Sequence, residues 1–182
     1  MSFNKTIINQ DNFINLYKYS GDDLKSILSE NNELKILDSD SENIRICFID
    51  TETTGLNQEK DHIIEVALKC IEVNKSTGAN LKVIASYESL QDPGIPISPE
   101  STKIHEITDE DVKGHSIDWK KVDKILEISQ LIVAHNASFD RPFIEKNSIL
   151  SPKKIWACSV NDIDWMDRGF KNKKQELLCI WH

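Results

Sequence analysis

The chain has 182 residues, a formal net charge of −8 and four cysteines. That length suits one domain with its own core. The acidic balance argues against non-specific binding to long duplexes, which depends on lysine and arginine neutralising phosphates. No run of eighteen apolar residues is present, and the first twenty residues lack the apolar core of a leader. A cytoplasmic protein with no membrane span is therefore expected. Cys47, Cys70, Cys158 and Cys179 are widely spaced with no C-x-x-C pair, which suits reduced thiols.

Residues 1–43 read as a polar, helical N-terminal extension. Phe13, Leu16 and Tyr17, then Leu24, Ile27 and Leu28, fall at helical spacing around Gly21. Ile44 to Ile49 is a strand signal, rich in β-branched and aromatic residues. The strand ends on Asp50-Thr51-Glu52-Thr53-Thr54-Gly55-Leu56. Side chains alternate along a strand, so Asp50 and Glu52 share a face and Thr51 points away. Two carboxylates one pleat apart repel unless a cation lies between them, and oxygen donors suit Mg²⁺ or Mn²⁺. A lone D-x-E more often just ends a strand in solvent. The longer run is more specific.

Ile63 to Val73 and Leu81 to Leu90 read as two further strands joined at a turn containing Gly78. Short connections imply a three-stranded antiparallel meander. Ser98-Pro99 marks a helix start, and Thr108-x-x-Asp111 a second one, like a capping box. Gly114 closes that short helix. Ser116 or Asp118 caps a longer helix with an apolar stripe of Trp119, Val122, Ile125 and Leu126. Leu131 to His135 suits a buried strand. Pro142 is best tolerated in a first turn, which places the next helix start at Ser138, with Phe139 and Asp140 in that turn. Lys154 to Cys158 is predicted as a strand and Val160 to Arg168 as a helix stopped by Gly169. Residues 173–182 look like the beginning of another helix. This order indicates an α/β domain, a mixed sheet with parallel strands added to the meander and helices flanking it.

Asp50 to Leu56 resembles the first motif of the DEDD superfamily of 3′–5′ exonucleases, the DnaQ-like or RNase T-like enzymes. His135-Asn136-Ala137-Ser138-Phe139-Asp140 resembles its second motif. Ile63-Ile64-Glu65 is similar to the family's second strand. Ile104 to Thr108 is similar to its I-H-G-I-T segment, with Glu106 in place of glycine. The resemblance covers residues 44–182 and implies a ribonuclease H-like exonuclease domain of the histidine subtype. It implies a two-metal mechanism with Mg²⁺ or Mn²⁺, and Asp50, Glu52 and Asp140 as catalytic metal ligands. It also implies a single-stranded DNA or RNA 3′ end as substrate, with a polymerase or other protein as a possible partner. Thr53, Thr54, Leu56, Asn136 and Phe139 are the candidate substrate contacts. Leu56 would pack against the terminal base, Phe139 would stack on a base, and Thr53 and Thr54 would offer hydroxyl or N–H groups.

The family's third motif, H-x-A-x-x-D, has no counterpart: no H-x-x-x-x-D follows Asp140, and the later histidine is His182. The chain is thus expected to be truncated before that motif and to be inactive or impaired. A nuclease-dead nucleic-acid or protein binding module on the same fold is the rival expectation. His135 reads better as a strand-end histidine bonded to backbone than as a catalytic one. Arg168, Lys171, Lys173 and Lys174 form the obvious local basic run, and a solvated surface is the simpler reading of it.

Overall fold

A computed structural model describes residues 41–180; the extension expected over 1–43 lies outside them except for its last three residues, as does His182. Strands β1 (Asn43–Thr53), β2 (Ile63–Asn74), β3 (Asn80–Leu90), β4 (Leu131–Ala134) and β5 (Ile155–Cys158) form one sheet in the order β3-β2-β1-β4-β5. The β1, β2 and β3 pairings are antiparallel, whereas β4 runs parallel to β1 and β5 parallel to β4. The meander turns at Asn74, whose side-chain oxygen accepts the N–H groups of Ser76 and Thr77. Gly78 follows at φ 72°, a left-handed conformation that costs glycine nothing.

Alternation along β1 separates two faces. Cys47 and Ile49 point into the main core with Val66, Leu68, Cys70, Ile132 and Ala134. Helices α3 (Trp119–Ile128) and α4 (Ala137–Glu145) cover that face through Val122, Ile125, Leu126, Phe143 and Ile144. Each such side chain contributes about 1.5–3 kcal/mol when fully buried. Burial pushes the Cys47 thiol up to about 12, so it remains protonated. On the opposite face Ile46, Ile71 and Val73 pack with Ile44, Phe48, Leu131 and Val133. Asp50 and Glu52 continue this second row toward the strand's C-terminal end.

The helix starts are those of the sequence in most cases. Ser98 caps α1 (Pro99–His105), and Thr108 with Asp111 forms a reciprocal capping box at α2 (Asp109–Val112). Asp118 rather than Ser116 caps α3. Helix α1 ends on Glu106 at φ 63°, the position where the related segment carries glycine. A left-handed non-glycine residue costs roughly 1–2 kcal/mol.

Two expectations are corrected. Helix α4 begins at Ala137, with Asn136 at φ 80° as its cap, so Pro142 lies inside the helix. The carbonyl that loses its partner to this proline, that of Ser138, accepts the side-chain N–H of Gln58 instead, at 3.2 Å. The second correction is Val160 to Arg168, which forms successive turns and no helix. Here aspartates bind the backbone directly: Asp162 accepts the Cys158 N–H and Asp164 accepts the Asp167 N–H. Such local bonds compete with helix formation. The chain then enters α5 (Gln175–Ile180).

Candidate active site

The site is built where β1 ends. Thr51 is buried on the core side, while Asp50 and Glu52 project from the other face. The register sets Glu52 opposite Glu65 and Asp50 opposite Ala67, which in turn faces Glu88 on β3. Four carboxylates therefore share one face of three adjacent strands. Like charges directly opposite each other destabilise a sheet. Asp50 is reached by water, but the protein around it displaces enough of that water to raise its carboxyl; nearby His135 acts in the other direction. Burial also raises Glu52, and the charges of Asp50, Glu65 and Asp140 raise it further. Glu65 is raised by burial, Glu88 and Asp50.

Asp140, in the first turn of α4, is only 2 % exposed. Its Oδ1 accepts the Thr51 N–H at 3.1 Å and the Thr51 hydroxyl at 2.8 Å. Those bonds lower its pKa, but burial outweighs them and the Asp50 charge adds to it, pushing the group up to about 6. Asp140 thereby ties the start of α4 to the end of β1. As they stand, no three His, Cys, Asp or Glu side chains among the described residues converge into a metal cluster. The donor chemistry nevertheless fits a divalent ion: Asp50 and Glu52 supply oxygens only, and their raised carboxyls mark a charge that a cation would relieve.

The other sequence candidates fall into two groups. Thr53 and Thr54 are buried, and their hydroxyls are engaged within the protein. That of Thr53 donates to the Gly55 carbonyl at 2.7 Å, and that of Thr54 to Asp61 at 3.0 Å. The Thr54 N–H donates to the His62 carbonyl at 2.9 Å. These threonines hold the loop, and the offer of hydroxyls to a substrate is not what this geometry provides. Leu56, by contrast, is 82 % exposed. Phe139 is half-buried against Phe143, with ring centroids 5.3 Å apart. Asn136 is exposed and accepts the Ser138 hydroxyl.

Two residues carry no signal in the sequence, Ser101 and Asp61. Ser101 of α1 donates its hydroxyl to the Thr54 carbonyl at 2.7 Å, and Ile104, one turn further along the same helix, is 83 % exposed. Asp61 closes the motif loop by accepting Thr54 Oγ1 and the Asn57 N–H. Ile104 opens the I-H-G-I-T-like segment, and its exposure is the part that the sequence does not show.

The same Asp61 explains Gly55. A Cβ at Gly55 would lie 2.7 Å from the Asp61 carboxylate, which is pinned by two hydrogen bonds. Gly55→Ala should therefore cost about 1–3 kcal/mol, the range for an overpacked site. Thermal denaturation checks this, and adding Asp61→Ala should shrink the penalty specific to the methyl group.

The exonuclease family model RNase_T matches residues 47–176. The chain is 37 % identical over 147 residues to a PolC-type DNA polymerase III of Listeria innocua, covering 75 % of this chain and 9 % of that protein. It is 36 % identical over 101 residues to the PolC-type enzyme of Caldanaerobacter subterraneus, covering 54 % and 7 %. The chain thus spans less than a tenth of these relatives. Among solved structures, E. coli Exonuclease I, crystallised in complex with an oligonucleotide, matches with a TM-score of 0.52 at 14 % identity, over 64 % of this chain and 28 % of that one. That likeness concerns the ribonuclease H-like fold alone. The motif at the end of β1, the second motif at the start of α4 and the family match together make this chain a member of the DnaQ-like (DEDD) exonuclease family.

Proposed function

We propose that the chain acts on single-stranded DNA from its 3′ end, releasing nucleotides by divalent-metal-assisted hydrolysis. The observation that carries this reading is the exposed face at the end of β1, where Asp50 and Glu52 stand together with raised carboxyls in an exonuclease-family domain. Asp50 and Glu52 would hold Mg²⁺ or Mn²⁺, with Asp140 as a further ligand once its carboxyl turns from Thr51. Bound metal supplies Lewis-acid polarisation of the phosphate and lowers the pKa of the attacking water. The chain's own side chains do the rest. Leu56 and Ile104 present apolar surface to the terminal base, and Phe139 and Asn136 border the same strand ends. The Thr54–Asp61 loop fixes Leu56 relative to Glu52. DNA is favoured over RNA because the relatives above are DNA polymerases, and a polymerase is the partner those names suggest.

Oligonucleotides labelled at the 5′ or the 3′ end decide the direction. With Mn²⁺, a 5′ label should move down a ladder one nucleotide at a time, and a 3′ label should appear at once as mononucleotide. EDTA should stop both. The reverse pattern would overturn the direction. Oligonucleotide binding without cleavage in Mn²⁺ would favour the binding-module reading, for which Asp140 held on Thr51 is the supporting geometry.

A further inference from the structure

The basic run from Arg168 to Lys174 contains no acidic residue, in a chain of net charge −8. Its placement follows from β4. The parallel register pairs Ile46 with Leu131 and Phe48 with Val133, so the next step in that row sets His135 beside Asp50 on the carboxylate face. His135 Nε2 lies 2.8 Å from the Lys173 carbonyl oxygen and its Nδ1 2.8 Å from Ser159 Oγ. The histidine therefore latches residue 173 to the edge of the site. Two further contacts hold the tract: Lys173 Nζ donates to the Val160 carbonyl at 3.0 Å, and Phe170 packs edge-on against Trp165 at 5.3 Å. The Lys173 ammonium is thus used internally. Lys171 and Lys174, on either side of it, are exposed, and their ammonium groups have no partner among the described residues.

We propose that Lys171 and Lys174 bind the phosphate backbone of the single-stranded nucleic acid whose end occupies the carboxylate face. This rests on the nuclease reading above and extends it to the nucleotides behind the terminal one. Physical need and position agree. Asp50, Glu52, Glu65 and Glu88 repel an incoming strand, and screening at physiological salt acts over about 8 Å, so positive charge helps only when held close by. A tract anchored at His135, Val160 and Trp165 holds the backbone that carries the two lysines, which lowers the ordering cost of binding.

The test is fluorescence anisotropy of a labelled oligothymidylate against the 182-residue chain, with Ca²⁺ in place of Mg²⁺ so that nothing is cleaved. Affinity is measured over salt from about 50 to 200 mM. Each phosphate contact to a single strand contributes about 0.7 to the slope of log affinity against log salt. The Lys171→Gln/Lys174→Gln variant should lose about 1.4 from that slope. Lys120→Gln/Lys124→Gln removes the same charge from exposed positions of α3, which packs on the opposite face, and should leave the slope as it was. Equal slopes in wild type and the Lys171/Lys174 variant would overturn the inference while leaving the nuclease reading standing. Equal losses in both variants would reduce the effect to net charge and overturn it too. Absence of any binding by the wild type would overturn both readings together.

Discussion

Asp140→Asn should melt above wild type at pH 8 in EDTA, and the two proteins should converge near pH 4. The carboxyl is pushed up to about 6 from an ordinary 3.8, chiefly by burial. A raised acid favours the folded state while protonated. Its contribution is therefore fully present below 3.8 and is lost as pH rises through about 6. A change of that size corresponds to at most ~3 kcal/mol, or on the order of 6–12 °C in melting temperature for a chain of this length. Asparagine keeps an oxygen for the Thr51 N–H and hydroxyl but cannot ionise. Asp140→Ala is the necessary contrast. It leaves two buried donors of Thr51 unanswered, so it should fall about 2–3 kcal/mol below the asparagine variant across the whole range. Differential scanning calorimetry across pH 4–8 reads both. A gap between wild type and Asp140→Asn that does not change with pH would show that burial does not govern this carboxyl.

Asp140 also marks how far the sequence reaches. Asp50 and Glu52 were assignable to one face because strand alternation is local, and the caps at Ser98 and Thr108 are local too. What the sequence could not supply was register and contact at long range. Glu65 faces Glu52 because of how β1 and β2 align, and nothing within either strand states that alignment. The buried bond of Asp140 to Thr51 joins residues 89 apart. The helix start at Ala137 is hidden in the sequence for a related reason. Proline inside a helix is disfavoured unless something answers the freed carbonyl, and Gln58 does so from a distant loop. The turns after Cys158 are not legible in the sequence because Asp162 and Asp164 fit a helix by pattern, while in the fold their carboxylates compete for the backbone. His135, in contrast, reads the same way in sequence and structure, as a strand-end histidine bonded to backbone.

Glu52→Ala should lower Mn²⁺-dependent release of nucleotides by about 10³-fold or more while leaving the fold intact. A metal ion contributes several kcal/mol of transition-state charge stabilisation, and ~4 kcal/mol corresponds to about 10³ in rate. Glu52 is half-buried opposite Glu65, so removing its charge relieves repulsion and should not unfold the sheet. The loss belongs in kcat. Leu56→Ala should behave differently. Its side chain is almost wholly exposed, and a base resting on it gains contact in ground and transition states alike. Covering that leucine contributes at most about 1.5–3 kcal/mol, so its loss should appear as a rise in KM of up to roughly 10- to 150-fold with kcat little changed. Single-turnover assays with excess protein over a 5′-labelled oligonucleotide read both effects. Turnover that survives Glu52→Ala would remove the β1 carboxylates from the chemistry. A Leu56→Ala defect confined to kcat would instead place that side chain at the reacting phosphate, away from the base.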